Sequence, residues 1–220
     1  GRMRRLSFAL PFVALLLAGC AGTYYNALEK IGIPKRQILV DRVQAARSSQ
    51  EKAKETFASA LDHFMAVTRV PPTELKNTYE RLSDEFKRCE SRAKDVRDRI
   101  AAIDSVAKAL FEEWKVELGQ YSSASLRAQS ERQMTATRRR YDELMRLMEN
   151  AAERMDPVLS TFRDQVLFLK HNLNAQAIAS LDDTTRDLQQ DITRLIADMD
   201  KSIREADAFI AAMQQRESGT

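Results

Sequence analysis

From residue 34 to the end of the chain, apolar residues recur at alternating spacings of four and three, the signature of long helices packed along a continuous seam. The run from Leu75 through Tyr79, Leu82, Phe86, Cys89, Ala93 and Val96, and on through Ile100, Ile103, Ala107 and Leu110 to Trp114, keeps this spacing without a miss. An earlier run, from Leu39 and Val43 to Phe64 and Val67, places Ala46, Ala53 and Ala60 seven residues apart, small enough for a partner helix to approach closely. Gln50 is its one polar member. Either it sets register at a cost in stability, or it falls by chance at an exposed end.

Two further seams follow, one from Tyr141 to Leu173 and one from Ile178 to Met213. Each contains two successive spacings of four, at Val158-Phe162-Val166 and at Leu195-Met199-Ile203, and such a stutter locally unwinds a left-handed supercoil. Pro157 lies beside the first stutter, which predicts a kink or loosened turn there. Breaks between the seams are few: Gly32 and Pro34, then Pro71-Pro72 with Thr73, then the polar joint Gly119 to Ser125, then Asn172 and Asn174. They divide the chain into helices over Pro34 to Arg69, Thr73 to Leu118, Ser125 to Leu173 and Ala175 to Gln215. Helices of this size would be roughly 60 to 75 Å long, and short connections favour antiparallel neighbours. The expected fold is all-α: an elongated antiparallel bundle of about four long coiled-coil-like helices, in one unit over residues 34–217. The fourth helix is acidic while the first and third lean basic, which favours packing it beside one of them.

The opening residues break this pattern. Arg2, Arg4 and Arg5 precede an apolar run from Leu6 to Ala18, followed by Gly19 and Cys20, the layout of a bacterial secretory signal. A membrane-spanning helix needs roughly 20 apolar residues, and this run is shorter and carries Pro11. Leu17-Ala18-Gly19-Cys20 resembles a lipobox, which implies cleavage between Gly19 and Cys20 and acyl chains on Cys20. Residues 1–19 are thus expected to be a lipoprotein signal peptide that is removed, and residues 20–33 a lipidated N-terminus and short tether. The alternative is that Cys20 is an ordinary small residue of a retained anchor. Two acyl chains hold a protein stably where one does so only reversibly. Ala21 stands where an aspartate would mark inner-membrane retention, so the expected address is the outer membrane, facing the periplasm. Tyr24, Tyr25, Lys35 and Arg36 follow closely and are candidate membrane-proximal contacts.

Charge alters the picture little. The net charge of +3 comes from the three arginines of the opening stretch, which leaves 32 basic and 32 acidic residues in the remainder. A balanced chain has no basic field for nucleic acid. With Cys20 acylated, only Cys89 remains, so no intramolecular disulfide is available. Its place in a seam suits a buried small residue, and an intermolecular bridge is the alternative.

Catalysis requires convergent groups of shifted pKa in a cleft, and few candidates exist. His63 and His171 are the only histidines, and no HExxH, CxxC, GxSxG or phosphate-binding glycine loop occurs. Adjacent acids such as Glu112-Glu113 and Asp142-Glu143 diverge by about 100° around a helix and suit a solvated face. Arg138-Arg139-Arg140 could meet lipid headgroups, but nearby acids favour a salted surface. The methionines Met145, Met148 and Met155 suit core packing. Neither a cofactor, a metal nor a small-molecule substrate is expected.

Three stretches, TYYNALEKIGIPKRQILVDRVQAARSSQEKAKETFASAL, ELGQYSSASLRAQSERQM and PVLSTFRDQVLFLKHNLNAQAIASL, resemble the proteobacterial lipoproteins grouped as domain of unknown function DUF2959. The resemblance covers nearly the whole chain after the signal and implies a helical lipoprotein. It carries no active-site residues with it, because the family has no assigned activity. The expected role is a non-enzymatic structural or adaptor lipoprotein that binds an envelope protein or itself, anchored through Cys20. The alternative is a membrane-surface module that senses or shapes the bilayer. A basic stripe along the bundle would favour the alternative, and balanced charge the adaptor.

Overall fold

The computed structural model describes residues 20–30, 32–67, 74–172, 174 and 181–218. Among them are six helices: α1 Cys20–Lys30, α2 Lys35–Val67, α3 Leu75–Leu118, α4 Ala124–Glu153, α5 Met155–His171 and α6 Leu181–Ser218. No strand occurs among the described residues. At 1.5 Å per residue the 44 residues of α3 extend about 66 Å.

Four columns form a ring, in which α2 packs on α3 and α6, and the α4–α5 column packs on the same two helices. Neighbouring columns of the ring are antiparallel. Along α2 and α3, Lys35 pairs with Glu113 and Ser49 Oγ donates to Asp95 Oδ2 at 2.6 Å. Along α2 and α6, Arg47 meets Asp207 at 3.0 Å and Lys54 meets Asp200 at 2.9 Å. Across to the fourth column, Tyr141 donates to Asp104 at 3.1 Å and Arg163 meets Glu90 at 2.9 Å. The acidic α6 does lie beside the basic α2 and α4.

The expected seams form the core. Every seam residue of α2 from Leu39 to Val67 is buried, Gln50 included, so that glutamine is no end effect. Phe64 and Phe86 both meet Phe162 edge to face, at 5.5 and 6.1 Å between ring centres. Fully burying one such ring contributes on the order of 1.5–3 kcal/mol. The core is nonetheless wider than the seams. Val106, Phe111, Leu159 and Phe209 are also buried, because each helix of a four-column ring faces two neighbours and must bury a broader stripe than a two-stranded coil.

Two expectations about segmentation change. The third helix is two, α4 and α5, broken at Arg154. Pro157 lacks an N–H for the Glu153 carbonyl and its ring crowds that oxygen, so the regular ladder fails one turn before the proline. Arg154 stays in the right-handed helical region (φ −67°, ψ −16°), which makes the break a loosened turn rather than a corner. Residues 20–30 are not slack tether but a helix, and α1 packs on α3. Gly32, with φ +90°, then reverses the chain, a conformation that favours glycine.

Ser123 caps α4, its Oγ accepting from the Leu126 N–H at 3.3 Å. At the start of α3 the capping position is Glu74, without a side-chain bond. Residues 1–19, expected to be a signal peptide and Gly19 among them, lie outside the described residues, as do Arg69, Pro71, Pro72, Thr73, Leu173, Ala175 and Ile178.

Candidate functional site

Of the residues singled out for the membrane, Lys35 and Arg36 lie at the end of the bundle where α1 turns into α2 and α3 into α4, while Cys20, Tyr24 and Tyr25 lie on α1, which runs back along α3. Cys20 is the first residue of α1. Tyr25 is buried, and its hydroxyl donates to Ser105 Oγ on α3 at 3.1 Å. Tyr24, edge to face with Tyr25 at 5.3 Å, is 52% exposed. The tyrosine pair therefore divides, with Tyr25 serving as the dowel that fixes α1 to α3 and Tyr24 facing solvent.

Lys35 is likewise turned inward. Its side chain is 3% exposed and its ammonium pairs with Glu113. A lysine at the first position of a helix would ordinarily reach water, but here its aliphatic stem runs along the core to a carboxylate on α3. Tyr25 and Lys35 are thus committed to the bundle interior and are not available as membrane contacts. Arg36 is half-buried, its guanidinium 5.4 Å from the centre of the Trp114 ring. Trp114 in turn donates from Nε1 to Ser130 Oγ at 2.9 Å, tying α3 to α4.

Around this scaffold the structure exposes apolar side chains that periodicity did not single out. Ile33 in the α1–α2 turn, Val116 near the end of α3, Tyr121 in the joint and Leu126 at the start of α4 are all exposed, Val116 by 66%. Asn26, Lys35, Ala109, Glu113, Val116 and Gln120 line an open cleft of about 410 Å³ beside α1. A signal for this group existed in the sequence: each residue is apolar yet sits in or beside a break. At the opposite end only Leu167 and Phe168 of α5 are large, apolar and exposed among the described residues.

Elsewhere the candidates for chemistry resolve into packing. Met145, Met148 and Met155 are buried. Arg138 stacks on Phe111 at 4.1 Å, so the arginine cluster is partly used in holding α4 to α3. His63 is half exposed and lies 2.8 Å from Glu85, while His171 is exposed at the end of α5. No group of three or more metal-ligating side chains is placed to share an ion among the described residues. A larger cleft of about 640 Å³ lies at the α4–α5 break, but its cations are already answered, Arg146 by Glu143, and Arg154 and Lys201 by Asp198.

Shifted groups exist, each with its own structural cause. Burial pushes the Cys89 thiol up to about 12. Burial and the neighbouring Asp104 carboxylate raise Tyr141. The Ser49 hydroxyl holds Asp95 below the usual carboxylate range. These three are tied to Thr56, Asp104 and Ser49 respectively and do not face one cleft.

Fold and surface together define an all-α protein, a bundle of long helices with a small docked leading helix. A family model described as protein of unknown function (DUF2959) matches residues 24–213, and the chain belongs to that family. Neither a curated protein nor a solved structure matches it. Among the described residues, no helix is long and apolar enough to cross a membrane.

Proposed function

We propose that the protein is a lipid-anchored cell-envelope protein, acylated at Cys20 and held on the periplasmic face of the outer membrane. Its bundle would bind other envelope proteins by helix and surface packing, without a catalysed reaction. The observation that carries this reading is where the family match begins. The family match starts at Tyr24, four residues beyond the Leu17-Ala18-Gly19-Cys20 box, so the arginine-led apolar stretch stands apart from the domain. Support for the adaptor over a charge-driven membrane module comes from the surface charge. Arg47, Lys54, Arg97, Arg154 and Arg163 each meet an acid on a neighbouring helix, so these cations are spent on joining the columns.

The test is acyl labelling and fractionation of Cys20→Ala beside the parent chain. Loss of label together with release from the membrane fraction is expected. An unlabelled protein that stays in the membrane would overturn the anchor. Crosslinking of the acylated protein in cells, read by mass spectrometry, then identifies the partner and the face it uses.

A further inference from the structure

The position of α1 has a consequence for how an acylated chain can meet a bilayer. Tyr25 is fixed on Ser105, and Asn26 shares a cleft with Ala109 and Glu112. After the Gly32 turn, Lys35 pairs with Glu113. The order of these contacts shows that α1 runs in the same direction as α3, so its first residue points back toward the middle of the bundle. Ser105 lies 13 residues before Leu118, about 20 Å from the end of α3, and Cys20 lies a further five residues up α1, about 8 Å along its axis. Cys20 is therefore on the flank of the bundle and not at its tip.

Acyl chains attached directly to Cys20 must enter hydrocarbon, and α1 is helical from that residue onward. A bundle standing upright on the α1 end would hold the cysteine roughly 20 Å or more above the surface, with no slack chain to bridge the gap. We propose that the protein lies on its α1 flank, with the bundle axis inclined toward the membrane plane and Tyr24, Ile33, Val116 and Tyr121 seated among the lipid headgroups. This rests on acylation at Cys20. The rim has the chemistry of an interface: Ile33, Val116 and Tyr121 are exposed at the two turns, Tyr24 is exposed about 20 Å back along the α1 flank, and Lys30 and Lys115 are exposed as well. The opposite end, marked by Leu167 and Phe168, would stand clear for a protein partner.

The test uses the full acylated protein in phosphatidylethanolamine–phosphatidylglycerol vesicles that carry doxyl-labelled lipid. Val116→Cys, Tyr121→Cys and Leu167→Cys are each labelled with an environment-sensitive dye. Cys89 is buried and stays unlabelled, and acylation blocks the Cys20 sulfur. Expected is loss of fluorescence by doxyl quenching at positions 116 and 121 and none at 167. Mass spectrometry of the N-terminal peptide is read first. An unacylated Cys20 sinks both the anchor and this orientation. Acylated protein with no quenching at 116 and 121 overturns the orientation alone. A dye shift at 116 and 121 without quenching, together with a dimer by light scattering, assigns the rim to a second copy and also overturns it.

Discussion

Ser202 Oγ on α6 donates a hydrogen bond to Gln50 Oε1 on α2 at 2.8 Å, across 152 residues of sequence and with both side chains wholly buried. Gln50 Nε2 has no partner. A bonded glutamine oxygen and a bare amide nitrogen in one apolar layer make the pair useful for register and poor for stability. Sliding α2 along α6 by a turn would strand both groups.

Ser202→Ala is accordingly expected to lower the unfolding free energy by about 1–3 kcal/mol, because it strands the glutamine oxygen as well. Combining it with Gln50→Leu should restore or exceed the parent value, since no polar group is then left in the layer. Urea unfolding of the two singles and the double reads the coupling. Additive losses would show that the two side chains do not act as a pair.

Ile103 tests the seam of α3. It is fully buried, whereas Leu126 at the start of α4 is 54% exposed. Ile103→Asp puts an unpaired carboxylate into the core and should cost more than about 4 kcal/mol, enough to unfold much of the protein. Leu126→Asp should stay within about 0.5 kcal/mol, as exposed substitutions do. Similar melting temperatures for the two variants would mean that α3 packs through another face.

How much of this could be read from the chain differs from one segment to the next. The seams of α2 and α3 are legible because a residue's burial there follows from a period repeated over many turns. Arg154 and Pro157 are legible together, since a proline beside a stutter removes a backbone bond where the supercoil already loosens. Tyr25 and Lys35 are not. Eleven residues of α1 are too short to show a period, and whether Tyr25 or Tyr24 turns inward depends on Ser105, eighty residues away. Lys35 misleads for a different reason: its burial requires a carboxylate from α3 at the right height, a fact of tertiary register. The apolar rim at Ile33, Val116, Tyr121 and Leu126 is invisible to periodicity because it lies where the periods end.

The inward turn of Lys35 makes its own prediction. Glu113→Ala removes the acid that meets a nearly dry ammonium, and truncating one partner of a buried pair is costly, so a loss of about 1–3 kcal/mol is expected after allowing for the partial exposure of Glu113. Glu143→Ala, which breaks an exposed pair with Arg146 on one helix, should leave the melting temperature unchanged. Equal effects would place the Lys35 ammonium in water.

Alkaline pH should find the weak point of the core at Cys89. The thiol is buried in the α3 seam, its sulfur 3.9 Å from the Thr56 carbonyl oxygen, and burial pushes it up to about 12, against about 8.5 for an unfolded cysteine. Below about pH 8 both states keep the proton and stability is independent of this group. Above it the unfolded chain releases the proton while the folded one holds it, so stability falls as pH rises, by up to about 1.4 kcal/mol per unit. Tyr141, also raised by burial, steepens the fall above about pH 10. Urea unfolding between pH 7 and 10 should show this decline, and Cys89→Ala should flatten it across pH 8.5–10 while lowering stability at neutral pH for lost packing. The same burial governs reactivity: iodoacetamide should modify Cys89 only as fast as the bundle opens, and modification speeding up in urea before global unfolding would reveal a local opening of α3 instead.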